Sequence, residues 1–129
     1  MQPIVVRWPG GEHAFRLGLG ELRTIQQKTD CGPEFLLIRI NAGQWHVDDL
    51  REVIRNGLIG GGMPHVDALR AVDKAFNAAP AITFKVPAQE ILSAFLFGPP
   101  DDVVGESLPV GPTPAKETTE NGGSAPITD

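Results

Sequence analysis

The sequence predicts a small α+β fold, mostly α, in which an N-terminal β-hairpin packs on about five short helices across residues 1–98. Three observations predict it. Apolar and polar residues alternate over the first seventeen positions, the period of a half-buried strand. Beyond Gly18 the apolar residues recur at three- and four-residue steps, in short segments punctuated by Gly and Pro. After Gly98 the composition changes: residues 99–129 hold six of the twelve prolines, four glycines and no aromatic residue. Such a segment buries too little apolar surface to offset its ordering entropy, so 99–129 is expected to be a disordered tail.

The hairpin comes first. Ile4, Val6 and Trp8 alternate with Val5 and Arg7, Pro9-Gly10-Gly11 supplies the turn, and His13, Phe15 and Leu17 alternate with Glu12, Ala14 and Arg16. Two strands alone are marginal in water, so their apolar face needs the helices that follow. Glu21 to Thr29 has helical composition with Leu22 and Ile25 on one face, and Asp30-Cys31-Gly32-Pro33 ends that helix and opens the next. Pro33 to Asn41 is apolar nearly all round (Phe35, Leu36, Leu37, Ile38, Ile40); a short buried helix is favoured over a strand by its opening Pro and closing Ala42-Gly43. Val47, Leu50, Val53, Ile54 and Leu58 mark a third helix, with Asp48 or Asp49 at its N-terminus and Asn56-Gly57 at its expected end. A fourth helix opens at Pro64 with Leu69, Val72 and Phe76 as its stripe, widened by Val66, Ala68 and Ala75. Ala81 to Val86 reads as extended. Pro87 then begins a last helix carrying Ala88, Ile91, Leu92, Phe95 and Leu96 on one face, stopped by Gly98-Pro99-Pro100.

Charge follows the same division. The net charge is −5, yet residues 1–98 carry ten basic and ten acidic side chains. The tail holds Lys116 against Asp101, Asp102, Glu106, Glu117, Glu120 and Asp129, so all of the imbalance lies there. A neutral body with an acidic tail is a poor match for a phosphate backbone, and no nucleic-acid partner is expected. No apolar run approaches the roughly 18–20 residues of a membrane span, and Met1 to Arg16 has no signal-peptide pattern. Cys31 is the only cysteine, which fits a reducing, cytoplasmic setting.

No catalytic constellation, metal site or cofactor site emerges. Gly57, Gly60, Gly61 and Gly62 suggest a phosphate loop, but the cluster follows a helix and leads into Met63-Pro64 rather than Lys-Ser. A tight helix connection accounts for it. Asp48, Asp49 and Glu52 have the spacing of a carboxylate pair, and also that of a capping box complementing a helix dipole. His13, His46 and His65 have no ligand spacing, and Cys31 has no partner for nucleophilic chemistry. Arg39, Arg51 and Arg55 read as part of a solvated mixed-charge surface.

The strings RLGLGELRTIQ at 16–26, GP at 32–33 and QWHVDDLREVIRNGLIGGGMP at 44–64 resemble a small-protein family encoded between the major tail protein and the tape measure in gene transfer agents and long-tailed phages. The family carries the labels tail assembly chaperone and tail tube protein. The resemblance covers about residues 12–98. It implies a non-enzymatic protein that binds the tape measure protein, with the major tail protein as a second partner. A long amphipathic client would dock in an apolar groove, for which Trp45, Leu58, Ile59 and Met63 are the candidates because they cluster near helix ends. Two alternatives stand beside this expectation: a structural tail tube subunit, and a small regulatory or nucleotide-binding domain resting on the triple glycine.

Overall fold

A computed structural model describes residues 1–98. Its elements run β1 (Ile4–Trp8), β2 (Gly11–Phe15), α1 (Leu19–Thr29), α2 (Pro33–Asn41), α3 (Val47–Gly60), α4 (His65–Ala78), a 3-10 turn (Ala81–Phe84) and α5 (Lys85–Phe97). The hairpin and the helices after it match the mostly helical α+β expectation. The segment expected to be disordered, 99–129, lies outside the described residues.

The hairpin pairs antiparallel, with Ile4 opposite Phe15, Val6 opposite His13 and Trp8 opposite Gly11. Alternation puts Val6, Trp8 and Phe15 on a buried face and leaves Val5, Arg7, Glu12 and Ala14 exposed. Pro3 and Pro9 flank β1 on either side. The indole N–H of Trp8 is taken out of water and donates to Nδ1 of His13 at 2.8 Å, so that nitrogen serves as an acceptor. Trp8 also meets Phe15 and Phe84 edge-on, with centroids 6.2 and 6.3 Å away.

Helix α3 is buried on most of its circumference: Asp49, Leu50, Glu52, Val53, Ile54, Asn56, Gly57 and Leu58 are all covered. It packs against α1, α4, α5 and β2. The hairpin lies across its last turn. The backbone N–H of Arg16 donates to the carbonyl of Gly57 at 3.0 Å. A Cβ on Gly57 would stand 2.7 Å from Cδ1 of Phe15, and Cβ atoms on Gly60 and Gly61 would collide with the carbonyl oxygens of Arg16 and Ala14. Three glycines thus form a seat for β2, which requires close approach rather than conformational freedom. Gly62 has the left-handed role: at φ +114 it closes a Schellman turn, its N–H donating to Ile59 and that of Met63 to Leu58.

This seat explains the first correction. The sequence places the end of α3 at Asn56-Gly57, but the helix continues to Gly60. Gly57 is an interior notch for Phe15, and the left-handed cap comes five residues later. The second correction concerns Ala81 to Val86, expected to be extended. Thr83 donates from both its N–H and its hydroxyl to the carbonyl of Pro80, winding Ala81–Phe84 into a 3-10 turn that runs into α5 at Lys85. Phe84 is thereby buried and stacks on Phe76 at 3.8 Å. The third concerns which apolar residues are inside. Pro33–Asn41 is a helix, yet only Leu36, Leu37 and Ile40 are buried, while Phe35 and Ile38 are exposed. On α4, Ala68, Val72 and Ala75 face the core and Val66 and Leu69 do not. Val47, in the first turn of α3, is also exposed.

Two glycine substitutions separate the seat from ordinary helix propensity. Gly60→Ala forces β2 off α3 and is expected to lower stability by about 3 kcal/mol, the upper range of overpacking costs. Gly20→Ala in α1 meets nothing within 4 Å and should stabilise by about 0.5–1 kcal/mol. Urea unfolding of both variants measures the contrast; equal midpoints would remove the seat from this account.

Candidate partner-binding surface

Several of the charged residues singled out in the sequence lie in ion pairs, some between helices and some along α3. Asp49 is 1% exposed. Its Oδ2 accepts from the His46 backbone N–H at 2.8 Å and from Arg39 Nε at 3.0 Å, while Oδ1 accepts from Arg39 Nη2 at 2.7 Å. One carboxylate therefore caps α3 and binds a guanidinium in bidentate fashion. Arg39 also donates to the carbonyl of Thr29 at 3.4 Å, so this one side chain of α2 reaches the end of α1 and the start of α3. Its pKa is raised above the usual arginine value, chiefly by the hydrogen bond with Asp49 and against the opposing effect of burial.

A second cluster lies along α3. Glu52 is buried; its Oε1 accepts from Arg55 at 2.6 Å and from Asn56 at 3.2 Å, and its Oε2 from Arg51 at 3.4 Å. Asn56 also donates to the Glu52 carbonyl at 2.8 Å. Arg51 reaches Asp73 of α4 at 2.6 Å. These carboxylates are engaged by cations and amides, so neither Asp49 nor Glu52 is free to act as a base. Asp48 stays exposed in the first turn. Arg39, expected on a solvated mixed-charge surface, is instead the cation of a buried carboxylate, and Glu52, expected in a carboxylate pair or a capping box, is held by Arg55, Asn56 and Arg51. The available signal was Arg39 itself, a charge set in the otherwise apolar run Phe35 to Ile40.

The other candidates for chemistry are dispersed. His13 is committed to Trp8, His46 and His65 are exposed at helix starts, and the Cys31 thiol lies 3.6 Å from the Thr29 hydroxyl. Among the described residues no group of three His, Cys, Asp or Glu side chains could hold a metal ion. The glycine cluster is a helix C-terminus, and the amides of Gly61, Gly62 and Met63 donate to the carbonyls of Gly57, Ile59 and Leu58. An anion site needs the free amides of an N-terminus, so the nucleotide reading has no donors here.

What α3 and α4 do present is an apolar strip. They form an antiparallel pair joined at Gly61–Pro64, with the Arg51–Asp73 bridge setting their register. From Arg51, helical spacing carries the same face through Arg55 to Ile59; from Asp73 it carries through Leu69 to Val66. Val66 is 58% and Leu69 42% exposed, while Ile59 and Met63 at the turn are half-buried. Of the four residues expected in a partner groove, Ile59 and Met63 thus border this strip. Trp45 is half-buried ahead of α3, and Leu58, at 1% exposed, belongs to the core. Val66 and Leu69 escaped sequence reasoning because their spacing matches a core stripe; nothing local distinguishes the two faces.

A family model described as phage tail tube protein, GTA-gp10, matches residues 3–98, nearly all of the described chain. No curated protein and no solved structure gives a significant match.

The Arg39–Asp49 pair yields a stability prediction. Arg39→Ala leaves the Asp49 carboxylate buried without its cation and is expected to cost about 3–5 kcal/mol. Arg51→Ala, at a partly exposed bridge to Asp73, should cost about 1 kcal/mol or less. Denaturant midpoints of the two variants give the comparison.

Proposed function

This chain belongs to the family described as phage tail tube protein, GTA-gp10, and on that premise we propose that it is a tail assembly chaperone holding the tape measure protein while the tail is built. The family is a non-enzymatic one of phage tails, in keeping with buried carboxylates engaged in ion pairs, Asp49 between helices and Glu52 within α3. The observation that carries the chaperone reading is the strip of Ile59, Met63, Val66 and Leu69, apolar side chains that the core leaves uncovered or half-covered. A long amphipathic helix docks on such a surface through residues spaced at i, i+3 or i+4 and i+7. Arg51 and Arg55 continue the same face as a polar margin. Trp45 is offered as a further contact, set apart from the strip.

A second reading comes from the family description itself, which names a tail tube protein. A tube subunit stays in the finished particle in many copies, whereas an assembly chaperone leaves. Quantitative mass spectrometry of purified particles separates the two: stoichiometric presence would favour the tube subunit.

Co-expression with the tape measure protein tests the chaperone reading directly. The chain is expected to bring that client into the soluble fraction and to co-purify with it. The double variant Val66→Glu, Leu69→Glu, altering exposed side chains only, should fold normally and lose client capture at least tenfold. A client equally insoluble with and without this chain would end the proposal.

A further inference from the structure

A different face of the molecule carries an inference independent of the tape measure reading. On α2, Phe35 and Ile38 are 58% and 56% exposed and share a face with Asn41. On α5, Val86 and Phe97 are 59% and 69% exposed and share a face with Gln89. Gln89 donates to Asn41 at 2.8 Å, which joins the two faces edge to edge. The two helices also pack on each other. The result is one two-helix surface whose centre holds aromatic and aliphatic side chains with uncharged amides between them. Charges of both signs accompany it: Glu34 one turn before Ile38, Lys85 beside the α5 strip, and exposed Glu90 on that strip between Val86 and Phe97.

We propose that this α2–α5 face is a two-fold interface at which a second copy of the chain docks. Area is the first argument. At these exposures the four side chains, with Ile82 in the turn leading into α5, present on the order of 500 Å² of apolar surface. A standard interface covers about 800 Å² per partner, and about 65% of a homodimer interface is non-polar, so the patch supplies the apolar centre such a dimer needs. Charge is the second argument. The face carries no strong bias toward either sign, and residues 1–98 are balanced at ten bases and ten acids, so a highly charged partner finds nothing here to complement. A second copy does: a two-fold axis brings each patch onto its twin and can set Lys85 of one protomer against Glu34 or Glu90 of the other. Two helices from each protomer then close into a four-helix packing.

Sedimentation equilibrium of the full chain over a wide concentration range tests this. A dimer of twice the chain mass is expected. Phe35→Glu and Val86→Glu each appear twice in a symmetric pair, and each should weaken dimerisation more than about a hundredfold, the effect of two hot-spot losses. Their far-UV circular dichroism should match that of the parent chain, because both residues are exposed. The Val66→Glu, Leu69→Glu variant lies on the other strip and should leave the dimer intact. A chain monomeric at every concentration would overturn the proposal, as would a dimer that survives both Phe35→Glu and Val86→Glu. A monomer whose Phe35→Glu variant loses only tape measure binding would also overturn it, by giving the face to a different partner; it would leave the chaperone reading standing.

Discussion

Where β2 passes beyond Phe15, its backbone runs directly over the last turn of α3, near enough that the Arg16 amide bonds the Gly57 carbonyl. Side chains cannot intervene at that distance, so Gly57, Gly60 and Gly61 are fixed by the position of the strand. Much else follows from that contact. Phe15 lies in the Gly57 notch and meets Trp8 edge-on, and Trp8 in turn meets Phe84. The hairpin, unable to persist alone, gains its support there. The end of α3 is also set, so that its Schellman turn directs the chain into α4.

The opposite end of α3 is held by a different kind of force. Arg39 ties three helices through one guanidinium, with Asp49 both as counter-ion and as helix cap. Buried ion pairs contribute little net stability but penalise any arrangement that separates the charges. The bidentate pair adds a directional constraint on the rotation of α2 to the burial of Leu36, Leu37 and Ile40. Close packing of backbone at one end and a polar lock at the other leave α3 with one position.

Much of the fold was legible because period and punctuation are local properties. The alternation of Ile4, Val6 and Trp8 and the Pro-opened starts of α2 and α4 depend only on neighbours in sequence. The failures share a cause as well. Gly57 reads locally as a helix stop, and only the approach of Phe15 makes it an interior position. Ala81 to Val86 has no helical pattern of its own; burial of Phe84 against Phe76 and Trp8 sets its conformation. Phe35, Ile38, Val66 and Leu69 lie at spacings that suit a core, yet their helices have too few neighbours to cover every apolar face. For the candidate surface the sequence reached Ile59 and Met63 by their place at a helix end. It could not separate them from Leu58, one residue away and fully enclosed.

The two prolines that bracket β1 set a limit on how this protein can associate. A two-stranded sheet ordinarily offers two open edges to any other strand in solution. One edge here is occupied by the end of α3, against which the carbonyls of Ala14 and Arg16 rest. The other is five residues long and ends at Pro3 and Pro9, neither of which can donate to a ladder. Growth by strand addition, the route by which β-rich subunits run together into sheets, is therefore confined on the hairpin to one short edge bounded by prolines. Association then falls chiefly to the helix faces.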